Sequence, residues 1–228
     1  MSVVSRTISA DSDVPYKTPR KSERPVFWIV AGPNGCGKSS LYNRTDIEGW
    51  GGSVWIINPD LLTATILESE CVPVDQANLA AVQRIECWLE ASLNTYQTIG
   101  VETVLSSSKY RRLVSLAQKR GFEVRMIYVV LDSLEEQLER IRIRVANGGH
   151  DVPVTKVAER RQRSFDQLAW FVMHVDRCFV FNNSAGGPAL IAEKLSGSLS
   201  LVEDLPTDLH ATLTDAGVPL ISAAVDLD

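Results

Sequence analysis

The run Gly32-Pro33-Asn34-Gly35-Cys36-Gly37-Lys38-Ser39 matches the phosphate-binding pattern G-x-x-x-x-G-K-[ST] at every required position, and its flanks decide the fold. Before it, Val26-Phe27-Trp28-Ile29-Val30-Ala31 is an unbroken apolar run introduced by Pro25, which predicts a strand buried in a parallel sheet. After it, Ser39 to Asp46 contains no breaker and predicts a helix. A strand, a glycine turn and a helix start aim several backbone N–H groups and the positive end of a helix dipole at one point, where a polyphosphate fits. Gly32 and Gly37 allow backbone angles and approach distances that a Cβ would forbid, Lys38 is a point charge able to reach the β- and γ-phosphates, and Ser39 offers a hydroxyl to Mg²⁺. The competing reading is a chance glycine turn between a strand and a helix.

Length and an apolar fraction of 45% suit a single domain with tails, and the α/β pattern predicts a three-layer fold around a parallel sheet of about five strands. The net charge of −5 argues against a general nucleic-acid binder, which needs a basic stripe to displace counterions. Cys36, Cys71, Cys87 and Cys178 form no C-x-x-C pair and stand beside no histidine cluster, so neither a zinc site nor a disulfide framework is expected and a reducing cytoplasm fits. No apolar stretch has the length of a membrane span, and the first residues lack the apolar segment of a secretory signal. Cys36 lies next to the loop lysine and a helix start, which can activate a thiol; the alternative is a small residue at a permissive position.

Residues 1–24 are polar and charged without apolar period and predict a flexible arm, with Val14-Pro15-Tyr16 as the one anchor if it orders on a partner. The catalytic domain is expected to span residues 25–199, and residues 200–228 form an acidic tail, ordered at most in part. Val54-Trp55-Ile56-Ile57 predicts a second strand ending in Asn58-Pro59-Asp60. In open α/β sheets ligands sit beyond the carboxyl ends of the strands, so Asp60 is placed to act as a general base or to hold Mg²⁺ through water. Alternatively, Pro59-Asp60 simply starts the helix through Leu61, Leu62 and Ile66.

Asp75 is expected to cap a helix whose core stripe is Leu79, Val82, Ile85, Trp88, Leu89 and Leu93. The strand Val101-Glu102-Thr103-Val104-Leu105 then runs into Ser106-Ser107-Ser108. A carboxylate at position 102 needs hydrogen-bond donors, from a polar ligand or from a structural partner such as an arginine. A helix over Tyr110 to Gly121 precedes the strand Val124 to Leu131, whose end places Asp132 as a rival to Asp60; the capping box Ser133-Leu134-Glu135-Glu136 gives Asp132 a structural alternative. The following helix bears Arg140, Arg142 and Arg144, breaks at Asn147-Gly148-Gly149-His150, and is succeeded by one bearing Arg160, Arg161 and Arg163. Two arginine helices about a glycine hinge resemble a lid, with Arg144 and Arg160 the chosen phosphate contacts and the others on a solvated face paired with glutamates. Cys178 to Phe181 is the last strand expected, ending at Asn182-Asn183-Ser184, whose amides suit a base, a ribose or a turn. Pro188 to Leu195 reads as a closing helix.

Taken together, the loop, Asn58-Pro59-Asp60, Glu102-Thr103-x-Leu105-Ser106, Arg144-Val145, Gly148-Gly149-His150-x-Val152-Pro153 and the Arg160 region resemble the zeta toxin family of phosphate-loop kinases, more closely its stand-alone bacterial branch. The resemblance implies an adenylate-kinase-like sheet and transfer of the γ-phosphate of ATP (or GTP), with Mg²⁺, to a sugar hydroxyl of UDP-N-acetylglucosamine or a related nucleotide sugar. It implies nucleotide binding by Gly32, Pro33, Asn34, Gly35, Cys36, Gly37, Lys38, Ser39 and Ser40, with Ser39 on the metal. Asp60 would be the base and Lys38, Arg144 and Arg160 the charge stabilisers. Glu102, Thr103 and Ser106 would hold the acceptor. An antitoxin-type protein inhibitor is the partner the family implies; no nucleic acid and no membrane are expected. The chain departs from the family at Val104, commonly threonine, at Arg161, commonly aromatic, and at Asn182, often aspartate.

Overall fold

The computed structural model describes residues 24–42, 54–147, 152–184 and 186–222. The N-terminal arm, the predicted Ser39–Asp46 helix beyond Tyr42, the Gly148-Gly149-His150 hinge and the last six residues lie outside them.

Fifteen elements follow in order: β1 (Val26–Ala31), α1 (Lys38–Tyr42), β2 (Ile56–Ile57), α2 (Pro59–Glu70), α3 (Val74–Asn94), β3 (Ile99–Thr103), α4 (Arg111–Lys119), β4 (Glu123–Val130), α5 (Leu134–Ala146), α6 (Val154–His174), β5 (Arg177–Asn182), β6 (Ala189–Leu195), β7 (Ser198–Leu201), α7 (Thr207–Asp215) and β8 (Leu220–Ser222). One sheet has the order β2-β3-β1-β4-β5-β6-β7-β8. Its first five strands are parallel, as the sequence predicts, with β1 in the middle. Alternate residues of β1 enter two cores: Phe27, Ile29 and Ala31 on one face, Trp28 and Val30 on the other. That two-sided burial explains why the run before the loop has no polar residue.

The C-terminal reading needs correction. Residues 189–195 form a strand, β6, antiparallel to β5, where a closing helix is expected. The short apolar run Ala189-Leu190-Ile191-Ala192 fits either element; pairing with β5 on one side and β7 on the other, with Ile191 and Ala192 buried, outranks the helix start suggested by Pro188. Nor does a tail begin at residue 200. β7 crosses that boundary, β8 pairs with it in parallel, and Leu205, Leu209, Leu213 and Val218 join the main core. Arg161 fastens this addition. Only 3% exposed, it donates to both carboxylate oxygens of Asp208 on α7 at 2.7 and 3.1 Å, to the Leu131 carbonyl at 2.9 Å and to Gln137 Oε1 at 3.3 Å. The stripe expected on α3 also shifts: the buried face is Ala77, Ala81, Ile85, Leu89 and Leu93, while Leu79 and Trp88 are exposed. Small residues let α3 approach α2 at Ile66, and the helix starts after Pro73, leaving Asp75 in the first turn.

A chain ended at residue 199 is therefore expected to lose cooperative unfolding. The four core side chains it lacks are worth about 1.5–3 kcal/mol each, comparable together with a domain's whole stability of about 5–15 kcal/mol. A single sharp thermal transition near that of the full chain would contradict this.

Candidate active site

At the carboxyl end of β1 the chain turns at Gly32, whose φ is +145° and where a Cβ would lie 2.1 Å from the Val129 carbonyl oxygen. No larger residue fits between the loop and β4. The loop closes with Ser40 and Leu41 N–H both bonded to the Gly37 carbonyl at 3.1 Å, so the N–H groups just before them have no helical acceptor and are left for a ligand. Lys38 folds back over the loop, its ammonium donating to the carbonyls of Gly32 at 2.9 Å and Pro33 at 3.1 Å. Two of its three donors thus orient the third.

The β3 carboxylate organises the rest. Glu102 pairs in register with Val30, two residues before the loop, and is 9% exposed. Its Oε2 accepts from Ser39 Oγ at 2.8 Å and from Asn58 Nδ2 at 3.0 Å, and its Oε1 lies 4.0 Å from Lys38 Nζ. Of the two sources left open by the sequence, structural partners are present: the loop serine and the asparagine ahead of Asp60 both donate to it. Asn58 uses its other end as the cap of α2, accepting from the N–H groups of Asp60 at 2.9 Å and Leu61 at 3.3 Å. Asp60 is consequently fixed in the first turn of α2, exposed and facing the cleft.

That cleft, of about 490 Å³, is lined by Asn34, Gly35, Gly37, Lys38, Ser39 and Ser40 of the loop, by Asp60, by Glu102 to Ser107, and by Lys109, Arg140, Arg144 and Arg160. It brings together Lys38, Ser39, Asp60, Glu102, Thr103, Ser106, Arg144 and Arg160. Of the remaining loop residues, Gly32, Pro33 and Cys36 are buried behind it. Asp132 is not among the lining residues: its carboxylate takes a hydrogen bond from Asn182 at 2.6 Å and its N–H donates to Ser184 Oγ at 2.8 Å, the structural role open to it. Arg142 and Arg163 pair with Glu139 and Glu159 on an exposed face, as expected. Thr103 Oγ1 accepts from the N–H of Leu105, a buried leucine held at φ +59°, a conformation that costs an L-residue about 1–2 kcal/mol. Ser164 braces the same wall, donating to the Val104 carbonyl at 2.8 Å and sharing a hydrogen bond with Tyr128.

Sequence reasoning set aside Arg140 and did not single out Lys109. Arg140 reads as one of a charged series, and only the fold shows it turned to the cleft with Glu136 at 2.8 Å. Lys109 lies over the Tyr110 ring, and burial lowers its pKa from the usual lysine value while Glu86 opposes the shift. The departures from the family pattern separate cleanly: Val104 lines the cleft, whereas Arg161 and Asn182 serve the packing described above.

Among the described residues no group of three or more His, Cys, Asp or Glu is arranged to hold a metal. Ser39 does fit Mg²⁺, because its proton goes to Glu102 and its oxygen lone pairs remain for a cation carried by phosphates. No helix described is long and apolar enough to cross a membrane.

A nucleotide-phosphate loop at the centre of a 2-3-1-4-5 parallel sheet, with arginines and a carboxylate across one cleft, defines a P-loop kinase-like protein. The chain belongs to the AAA_33 family, described as an AAA domain, which matches residues 27–168. No curated protein matches it in sequence. In fold it is similar to a chain of the AvrRxo1-ORF1:AvrRxo1-ORF2 complex crystallised with sulphate ions, at 16% identity and a TM-score of 0.62, and to one of the same pair with ATP, at 17% and 0.61. Each match covers 90% of this chain but only 66% of the other, so the chain spans just under two thirds of those relatives. A chain of the PezAT chromosomal toxin-antitoxin system of Streptococcus pneumoniae is similar at 13% identity and a TM-score of 0.57, covering 89% of this chain and 88% of that one.

The four cysteines are free. Burial pushes the Cys36 thiol up despite Lys38, and Cys178 up to about 12, so both stay protonated and the loop cysteine is not an activated thiol. A raised folded-state pKa stabilises the fold below the unfolded thiol value of roughly 8.5, and that contribution fades as pH climbs through the folded values. At pH 8 Ellman's reagent should modify exposed Cys71 and Cys87 in the native protein and Cys36 and Cys178 only in denaturant. Rapid native labelling of Cys36 would contradict the packing.

Proposed function

We propose that the protein is an ATP- and Mg²⁺-dependent kinase that transfers the γ-phosphate to a sugar hydroxyl of a nucleotide sugar such as UDP-N-acetylglucosamine, as zeta toxins do. The observation that carries this reading is Asp60, a carboxylate held by Asn58 in the wall of the cleft that also contains Lys38 and Ser39. The acceptor hydroxyl loses its proton to Asp60 as its oxygen bonds to the γ-phosphorus, and the bond from that phosphorus to the bridging oxygen breaks, ADP leaving with the electron pair. Lys38, Arg144 and Arg160 face the charge that spreads over the phosphoryl oxygens. Mg²⁺, carried by the phosphates and met by Ser39, supplies further charge neutralisation when bound. Glu102, Thr103 and Ser106 form the wall for the acceptor.

Support for an inhibitory partner comes from the similar chains, one from a toxin-antitoxin system and one from a two-component complex. The reading places the protein in a reducing cytoplasm, consistent with its free cysteines. Val104, where the family commonly has threonine, favours a second reading in which another hydroxyl compound, a nucleoside or an antibiotic, replaces the nucleotide sugar.

With γ-labelled ATP and a metabolite extract, label should move to a small molecule whose identity separates the two acceptors. Asp60→Ala should lower turnover by about 10²–10⁴-fold and spare ATP affinity, whereas Lys38→Ala should weaken both. ATP binding without transfer would leave a nucleotide-dependent binding protein. Silence of Asp132→Ala beside full activity of Asp60→Ala would overturn the assignment of the base.

A further inference from the structure

We infer that Asn183, just beyond β5, is a positioning residue for the phosphate cradle: its side-chain amide sets the plane of the Cys36–Gly37 peptide. The inference rests on the loop binding polyphosphate, and goes beyond it by assigning a function to a residue outside the motif.

Asn183 Nδ2 donates to the Cys36 carbonyl at 2.9 Å, across 147 residues of chain. In a trans peptide the C=O and the next N–H point in opposite directions, so pinning the Cys36 carbonyl toward Asn183 turns the Gly37 N–H the other way. Gly37 lines the cleft. Donation to the carbonyl also polarises that peptide and strengthens its N–H as a donor. The contact is close: a Cβ at Gly37, where φ is +90°, would lie 2.3 Å from Asn183 Nδ2. Glycine at 37 is thus required by Asn183 as well as by its own backbone angle.

The backbone of Asn183 is held at both its N–H and its carbonyl. Its N–H donates to the Val130 carbonyl at 3.0 Å, extending the β4 pairing. Arg140, on α5, donates to its carbonyl at 2.5 Å and to that of Ser184 at 3.1 Å. Glu136 completes the group, taking hydrogen bonds from Ser184 Oγ at 2.5 Å and pairing with Arg140 at 2.8 Å. The amide is therefore a fixed donor, and through Arg140 it joins the phosphate loop to the helix that presents Arg144 one turn later.

The test is direct binding of a fluorescent ATP analogue, which needs no acceptor. Asn183→Asp keeps the shape and removes the donor; Asn183→Ala removes both. Each should raise the ATP Kd, Ala by roughly five- to tenfold for one lost hydrogen bond and Asp by more, because its charge opposes phosphate. The Gly37 amide resonance of the ligand-free protein should move in both. Asn182→Ala, whose amide faces Asp132, serves as the control for the turn itself and should change Kd less than about twofold. Unchanged Kd in a folded Asn183→Asp, or an equal loss in Asn182→Ala, would overturn the assignment. Failure of the wild type to bind ATP would instead overturn the function proposed above.

Discussion

A carboxylate that is nine-tenths buried must find donors or cost the fold several kcal/mol, and at Glu102 that requirement shapes the site. Its oxygens gather Ser39 from the loop, Asn58 from the end of β2 and, at longer range, Lys38. Asn58 then caps α2 and so fixes Asp60. One buried charge thereby ties the phosphate-loop serine to the first turn of α2, which bears Asp60. The loop serine benefits as well, since a hydroxyl whose proton is already committed turns its oxygen toward a cation.

The two sides of the loop are braced by different means. On the β3 side the brace is charge, through Glu102; on the β4 and β5 side it is a neutral amide, Asn183, backed by Arg140 and Glu136. Beyond β5 the antiparallel strands and α7 have no part in the cleft lining. They extend the core and are tied to the kinase-like body by buried Arg161, which pairs with the exposed Asp208. Removing Asp208 would leave the buried guanidinium with the neutral acceptors Leu131 and Gln137, which makes the contact costly to break.

The parallel half of the fold was legible because its signals are local. An unbroken apolar run, a glycine loop and carboxylates at strand ends need only their neighbours to be read. Asp60 follows from its place at a strand end, Arg144 and Arg160 from two arginine-bearing helices about a glycine hinge, and the cleft contains all three. What was not legible depends on residues far apart in the chain. Nothing near Arg161 announces Asp208, 47 positions on, and nothing near Asn183 announces Cys36. The strand β6 begins as a short apolar run that helix and strand share, and only its pairing with β5 and β7 decides between them. On α3 the exposed Trp88 and Leu79 drew the stripe away from the alanines that pack against α2.

The most direct test of the account is a crystal structure with a non-hydrolysable ATP analogue and Mg²⁺. It should show the β- and γ-phosphates on Lys38 and the loop N–H groups, Ser39 still donating to Glu102, and the Asp60 carboxylate within one hydroxyl group's reach of the γ-phosphate. A triphosphate seated elsewhere, or an Asp60 turned to solvent and separated from the γ-phosphate by the α2 backbone, would contradict it.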